Sequence, residues 1–119
     1  MQTIDFLPDE LKDCAYNLSE FGIKSYAWAR EDVLKVIDFL ETNYPDKIIL
    51  GGDLYVLQEN KKLKRTYDNW FYEPDLKNQQ RNSSRESRVR AREYLEKSKS
   101  FPEGDHIYAG LVIATRGQY

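Results

Sequence analysis

The residues able to do chemistry fall in four places. Gly51, Gly52 and Asp53 interrupt the strand-like run "IILGGDLYVLQ" (48–58). Glycine weakens a strand and aspartate is uncommon inside one, so either another group approaches this backbone closely or the carboxylate is used. The run "RNSSRESRVRAR" (81–92) offers phosphate-binding chemistry, because on a helix Arg85, Arg88 and Arg92 fall at i, i+3 and i+7. Cys14 and His106, each the only residue of its type, supply a thiol and an imidazole. The segment "TYDNWFYE" (66–73) carries four aromatics, Tyr67, Trp70, Phe71 and Tyr72. Tryptophan and tyrosine are favoured anchors of protein interfaces.

Each feature has a structural explanation beside the chemical one. "GGD" is shared with the cyclases that make cyclic dinucleotides, but Leu54 and Tyr55 follow here instead of a second carboxylate and a phenylalanine. A packing glycine and a hydrogen-bonded aspartate account for it better than a metal or nucleotide site. Cys14 falls on the apolar stripe of a short helix, where a small buried thiol is expected. His106 has no Cys, Asp or Glu at ligand spacing. No nucleophile elbow, phosphate-binding loop, HExxH or zinc spacing occurs, so no catalytic residue, metal or cofactor is expected. The arginine stripe, together with the turn "NKKLKR", is a candidate basic surface for a nucleic-acid-associated regulator. Against this, Glu86, Glu93 and Glu96 are interleaved with it, and Arg92 with Glu96 makes an ordinary i, i+4 pair. The aromatics of 66–73 are either core or an exposed anchor.

The elements that must position these residues follow from periodicity. Leu11, Cys14, Ala15 and Leu18 predict an amphipathic helix from Pro8 to Leu18, ended by Gly22. "IKSYAWA" is a connector or a short extended piece. "REDVLKVIDFLETNY" predicts a helix over about 30–43, with Glu31 and Asp32 in its first turn and Pro45 beyond its end. Its wide apolar stripe (Val33, Val36, Ile37, Leu40, flanked by Leu34 and Phe39) needs two surfaces to pack on, a sheet and the first helix. Strands at 47–57 and 63–73, a short turn apart, predict an antiparallel hairpin. "PDLKNQQRNSS" reads as a polar loop. A helix over 84–98, terminated by Pro102 and Gly104, precedes a last strand at 106–115. The order α-α-β-β-α-β predicts an α+β fold, an antiparallel sheet of three to four strands with helices on one face. Strict alternation puts Ile48, Leu50, Gly52, Leu54 and Val56 under the 30–43 helix, with Gly52 letting it come close. Asp53 and Tyr55 then point to the opposite face.

The chain has 119 residues and a net charge of −2, which predicts one domain spanning 1–119. A single cysteine suits a reducing compartment. The start "MQTIDFLPDE" lacks a basic and apolar leader, and no apolar run reaches membrane-spanning length, so a cytoplasmic protein without membrane association is expected. Charge is segregated: residues 1–60 hold five Lys/Arg against twelve Asp/Glu, and residues 61–119 hold thirteen against eight. That asymmetry points to a charged partner. The acidic overall balance disfavours generic nucleic-acid binding. Oligomeric state is left open.

Taken in order, "YAWAREDVLKVIDFL", "IILGGDLYV", the aromatic "NWFYE" and a late helix of the type "S…A..YL" before a final strand resemble the immunity protein 40 family of bacterial polymorphic-toxin systems. The resemblance covers about residues 20–115, and Gly51-Gly52-Asp53 and Asn69-Trp70 are its most specific pieces. Leu54 and the arginine-rich run depart from the pattern. The resemblance implies an antidote without enzymatic activity that binds the C-terminal domain of a cognate toxin one-for-one. If that toxin is a nuclease, carboxylates on the polar face of the 30–43 helix, Glu31 and Asp38, would sit against its basic groove. Asp53, Tyr55, Trp70 and Tyr72 are the other candidate partner-binding residues.

Overall fold

A computed structural model describes residues 6–23, 25–73, 80–98 and 106–114. Six strands form one antiparallel sheet: β1 (Tyr16–Asn17), β2 (Tyr26–Ala29), β3 (Ile48–Leu57), β4 (Leu63–Phe71), β5 (Ile107–Gly110) and β6 (Val112–Ala114). Three helices accompany them, α1 (Asp9–Asp13), α2 (Arg30–Asn43) and α3 (Gln80–Ser98), with a 3-10 turn at Ser19–Phe21. The strand order is β1-β2-β5-β3-β4, and β6 continues β5 along the same side of β3. The α+β class and the antiparallel β3–β4 hairpin agree with the sequence reading, whereas among the described residues the sheet already has six strands instead of three or four.

The extra strands have a physical origin. The predicted helix over 8–18 ends at Asp13, because its apolar residues serve two different cores. Leu11 packs under the helices, while Leu18 joins Ala27, Tyr55 and Leu63 on the opposite face of the sheet. A straight helix cannot deliver both, so the chain turns extended at Tyr16–Asn17. Cys14 caps α1 and is exposed, not buried on an apolar stripe. "YAWA" proves to be an inner strand whose alternation serves both faces: Trp28 goes to the helical side and Ala27 to the other. The Trp28 indole N–H donates to Leu11 O at 2.8 Å, tying α1 to the sheet.

Helix α2 spans the predicted residues and buries Val33, Val36, Ile37 and Leu40. Together with Leu7, Leu54, Trp70, Ala91, Leu95 and Ile107, these residues form the main core. Helix α3 starts at Gln80, four residues before the predicted start. The last strand is split into β5 and β6 at buried Leu111. The Pro102–Gly104 terminator and the loop at 74–79 lie outside the described residues, as does the Tyr67 side chain.

Candidate functional site

The glycine pair is explained by close approach. A Cβ on Gly51 would strike the carbonyl oxygen of Trp70, and one on Gly52 would strike the carbonyl oxygen of Gly110 and the Trp70 ring. Gly52 therefore makes room for Trp70, not for α2. The Trp70 ring then stacks on Tyr94 of α3, centroids 4.8 Å apart and planes 26° from parallel. The helix lying over β3 is α3, and Ile49 N–H donates to its Ser87 Oγ at 3.0 Å.

Strict alternation also fails along β3. Ile48 pairs with Ala114 and Ile49 with Ile113, but Gly51 pairs with Val112, so Leu50 is one residue too many. This bulge switches parity, and Ile49 reaches the main core on the same side as Leu54. The expected grouping of Ile48 and Leu50 with Leu54 is thereby corrected. A second bulge lies on β4. Asp53 pairs with Asn69 and Tyr55 with Arg65, so Thr66, Tyr67 and Asp68 stand opposite Leu54 alone. Thr66 Oγ1 donates to Leu54 O at 3.0 Å and accepts from Asp68 N–H at 3.1 Å, closing the bulge on itself.

The candidate residues are scattered by this architecture. Trp70 is buried at 6 % exposure and Tyr55 at 1 %, so both belong to the core. Burial, and next the Asp53 carboxylate beside it, push the Tyr55 hydroxyl up to about 12. Asp53 itself is exposed. It lines a cavity of about 90 Å³ with Tyr55, Arg65, Asp68 and Asn69. Tyr72 is half-buried and its hydroxyl donates to Glu86 Oε2 at 2.8 Å. Glu31 is exposed in the first turn of α2.

Asp38, the other candidate partner-binding carboxylate of α2, belongs to a clamp that sequence periodicity gave no means to see. Arg92 Nη2 reaches Asp38 Oδ1 and Glu41 Oε2, both at 2.8 Å. Arg92 thus pairs across the helices instead of with Glu96. Arg88 is buried, and its Nη1 donates to Pro45 O at 3.3 Å just beyond the end of α2. Desolvation lowers the Arg88 pKa. Of the proposed basic stripe only Arg85 is exposed. Arg88 and Arg92, two of the three arginines that looked like a phosphate surface, hold α3 against α2 and its C-terminal end.

Of the 66–73 aromatics, read as either core or an exposed anchor, Phe71 is exposed, and the sequence gave no sign that Val89 and Val112 would be. Phe71 is 66 % exposed, Val112 48 % and Val89 46 %. Val112 and Phe71 are the two cross-strand partners of Gly51, so they flank a residue without a side chain in one row across the sheet. Partial desolvation, and next the Asp32 carboxylate, raise the Cys14 pKa. His106 is exposed just before β5. Among the described residues no cluster of three His, Cys, Asp or Glu is placed to hold a metal ion, and no helix is long and apolar enough to cross a membrane.

The model of the family described as Immunity protein 40 matches residues 17–113 of the chain. The chain belongs to the Immunity protein 40 family. The match covers β1 through β6 apart from one residue at each end, and α1 lies before it. Membership implies a toxin protein as partner. No curated protein and no solved structure matches the chain.

Proposed function

We propose that this Immunity protein 40 member neutralises a cognate toxin by binding the toxin's C-terminal domain one-for-one, without chemical turnover. The observation that carries this reading is the family match over 17–113. The geometry supports it. The glycine pair, Arg88 and Arg92 are absorbed by packing. What the molecule presents to a partner is surface: exposed acids Asp9, Glu10, Asp13 and Glu31 on α1 and α2, and exposed apolar groups at β4, β6 and α3. Such a blocker requires a stable scaffold and a complementary patch, and charge on that patch speeds capture.

The test is co-expression with the C-terminal toxin domain encoded beside its gene. The expected result is rescue of growth and a stable complex of one toxin domain per chain. Failure of the wild-type chain to protect or to bind would overturn the reading.

A further inference from the structure

We propose that the toxin contributes an extended segment that adds as a strand to the outer edge of β4 at Asn69–Phe71, in the cleft under α3. This inference rests on the toxin-binding reading above and names the site of that binding.

The edge is defined by the hydrogen-bond register. β4 is the last strand of the sheet, and among the described residues no strand pairs with its outer side. Tyr72 N–H donates inward to Leu50 O at 2.8 Å. In an antiparallel ladder alternate residues turn their backbone groups the same way, so Trp70 also faces inward. Asn69 and Phe71 then turn two N–H and two C=O groups outward. At the other end Gln58 N–H donates to Lys62 O, which by the same rule turns Leu63 and Arg65 outward. There the edge is blocked. Leu63 N–H is already taken by Tyr16 Oη at 3.4 Å, and the bulge at 66–68 breaks the line. A bulge of this kind protects an edge from indiscriminate pairing, and only the short stretch Asn69–Phe71 is left open.

That open stretch is where the groove lies. Asn69, Trp70 and Phe71 form one wall of a cleft of about 400 Å³, and Arg90, Glu93, Tyr94 and Lys97 of α3 form the other. A neighbouring cleft of about 460 Å³, walled by Tyr72, Arg85, Glu86, Val89, Arg90 and Glu93, continues it around Arg90. Trp70 has its indole N–H buried without a hydrogen-bond partner. On the opposite face of the sheet, the Val112–Gly51–Phe71 row ends in solvent at Phe71. A strand added beside β4 would extend that row by one residue and cover the Phe71 ring.

The occupant follows from charge and alternation. On the cleft walls the cations Arg85, Arg90 and Lys97 outnumber the carboxylates Glu86 and Glu93. Arg85 and Arg90 are exposed and make no ion pair among the described residues, while Glu86 is engaged by Tyr72. Alternate residues of an added strand point to opposite faces. The segment therefore carries an acidic side chain toward Arg90 and an apolar one toward Phe71. Backbone pairing supplies affinity, and the alternate side chains supply choice of toxin.

The test is amide hydrogen exchange of the full chain, alone and with the toxin domain encoded beside its gene, together with affinities of three variants. Asn69→Pro removes one outward N–H while leaving the inward ladder intact, and a thermal melt checks its fold. Asn69→Ala keeps that N–H, and Arg90→Glu reverses the rim charge. The expected result is exchange protection of Asn69 and Phe71 only in the complex. Affinity should fall roughly tenfold or more for Asn69→Pro, the value of one or two backbone hydrogen bonds. Arg90→Glu should weaken binding as well, and Asn69→Ala should leave it nearly unchanged. A tight complex in which both amides still exchange freely, bound equally by Asn69→Pro, would overturn the edge assignment and leave the toxin-binding reading standing. Protection in the free chain that disappears on dilution would assign the edge to a second copy and overturn the proposal. Absence of any complex with the wild type would overturn both.

Discussion

Gly52 shows how little room the sheet leaves at its centre. A methyl group there would meet the Gly110 carbonyl on one side and the Trp70 ring on the other, and backbone cannot rotate away as a flexible side chain can. Gly52→Ala should therefore cost about 3 kcal/mol, the upper part of the usual range for overpacking, measured as a lower urea midpoint at unchanged slope. Tyr55 gives a second test. Its pKa is raised from 10.0 to about 12, so the folded chain holds the phenolic proton more tightly than the unfolded chain does. The associated stability is fully present below about pH 10 and is lost as pH rises toward about 12. Equilibrium unfolding across that window should show the decline, and Tyr55→Phe should make it shallower. The packing role of the glycine pair could be read from composition alone, because glycine in a strand announces a close neighbour. Which neighbour it meets could not be read, since Trp70 and Gly110 come from two other strands.

The helices and strands divide by whether their pattern is local. Helix α2 was readable from end to end because its stripe, its acidic first turn and the following Pro45 all agree. The segment 8–18 was not, because a helical spacing of Leu11 and Leu18 conceals their burial on opposite faces of the sheet. The same limit applies to the arginine run. Periodicity shows that Arg85, Arg88 and Arg92 share a stripe, but not that α2 arrives with Asp38, Glu41 and the Pro45 carbonyl to meet it. Arg92→Ala should lower stability by about 1 kcal/mol, the sum of two partly exposed ion pairs, with the loss shrinking at high salt. Asp38→Lys should likewise destabilise the isolated chain, although Glu41 still holds Arg92. Thermal melts of both variants in low and high salt check this. A loss of toxin binding in Asp38→Lys without any change in melting would instead place Asp38 in the interface.

The whole molecule is a sheet covered unequally on its two faces. Helices cover one side, and a small cluster of Leu18, Tyr55, Leu63 and their neighbours covers one end of the other. The Phe71–Val112 end is left exposed, and the edge of β4, unpaired among the described residues, adjoins it. Family membership was already visible in the order of short motifs, because that order follows the succession of sheet elements. The surface proposed to face the partner was not visible, because exposure depends on which strand lies at the edge and where two bulges fall. In the proposed function, protection comes from occupancy, one chain per toxin. The most direct measurement is a titration of toxin activity with increasing amounts of the purified chain. A linear fall to zero at one equivalent, unchanged by longer incubation, is the predicted result. Complete inactivation by a small fraction of an equivalent, or full toxin activity at any ratio, would contradict it.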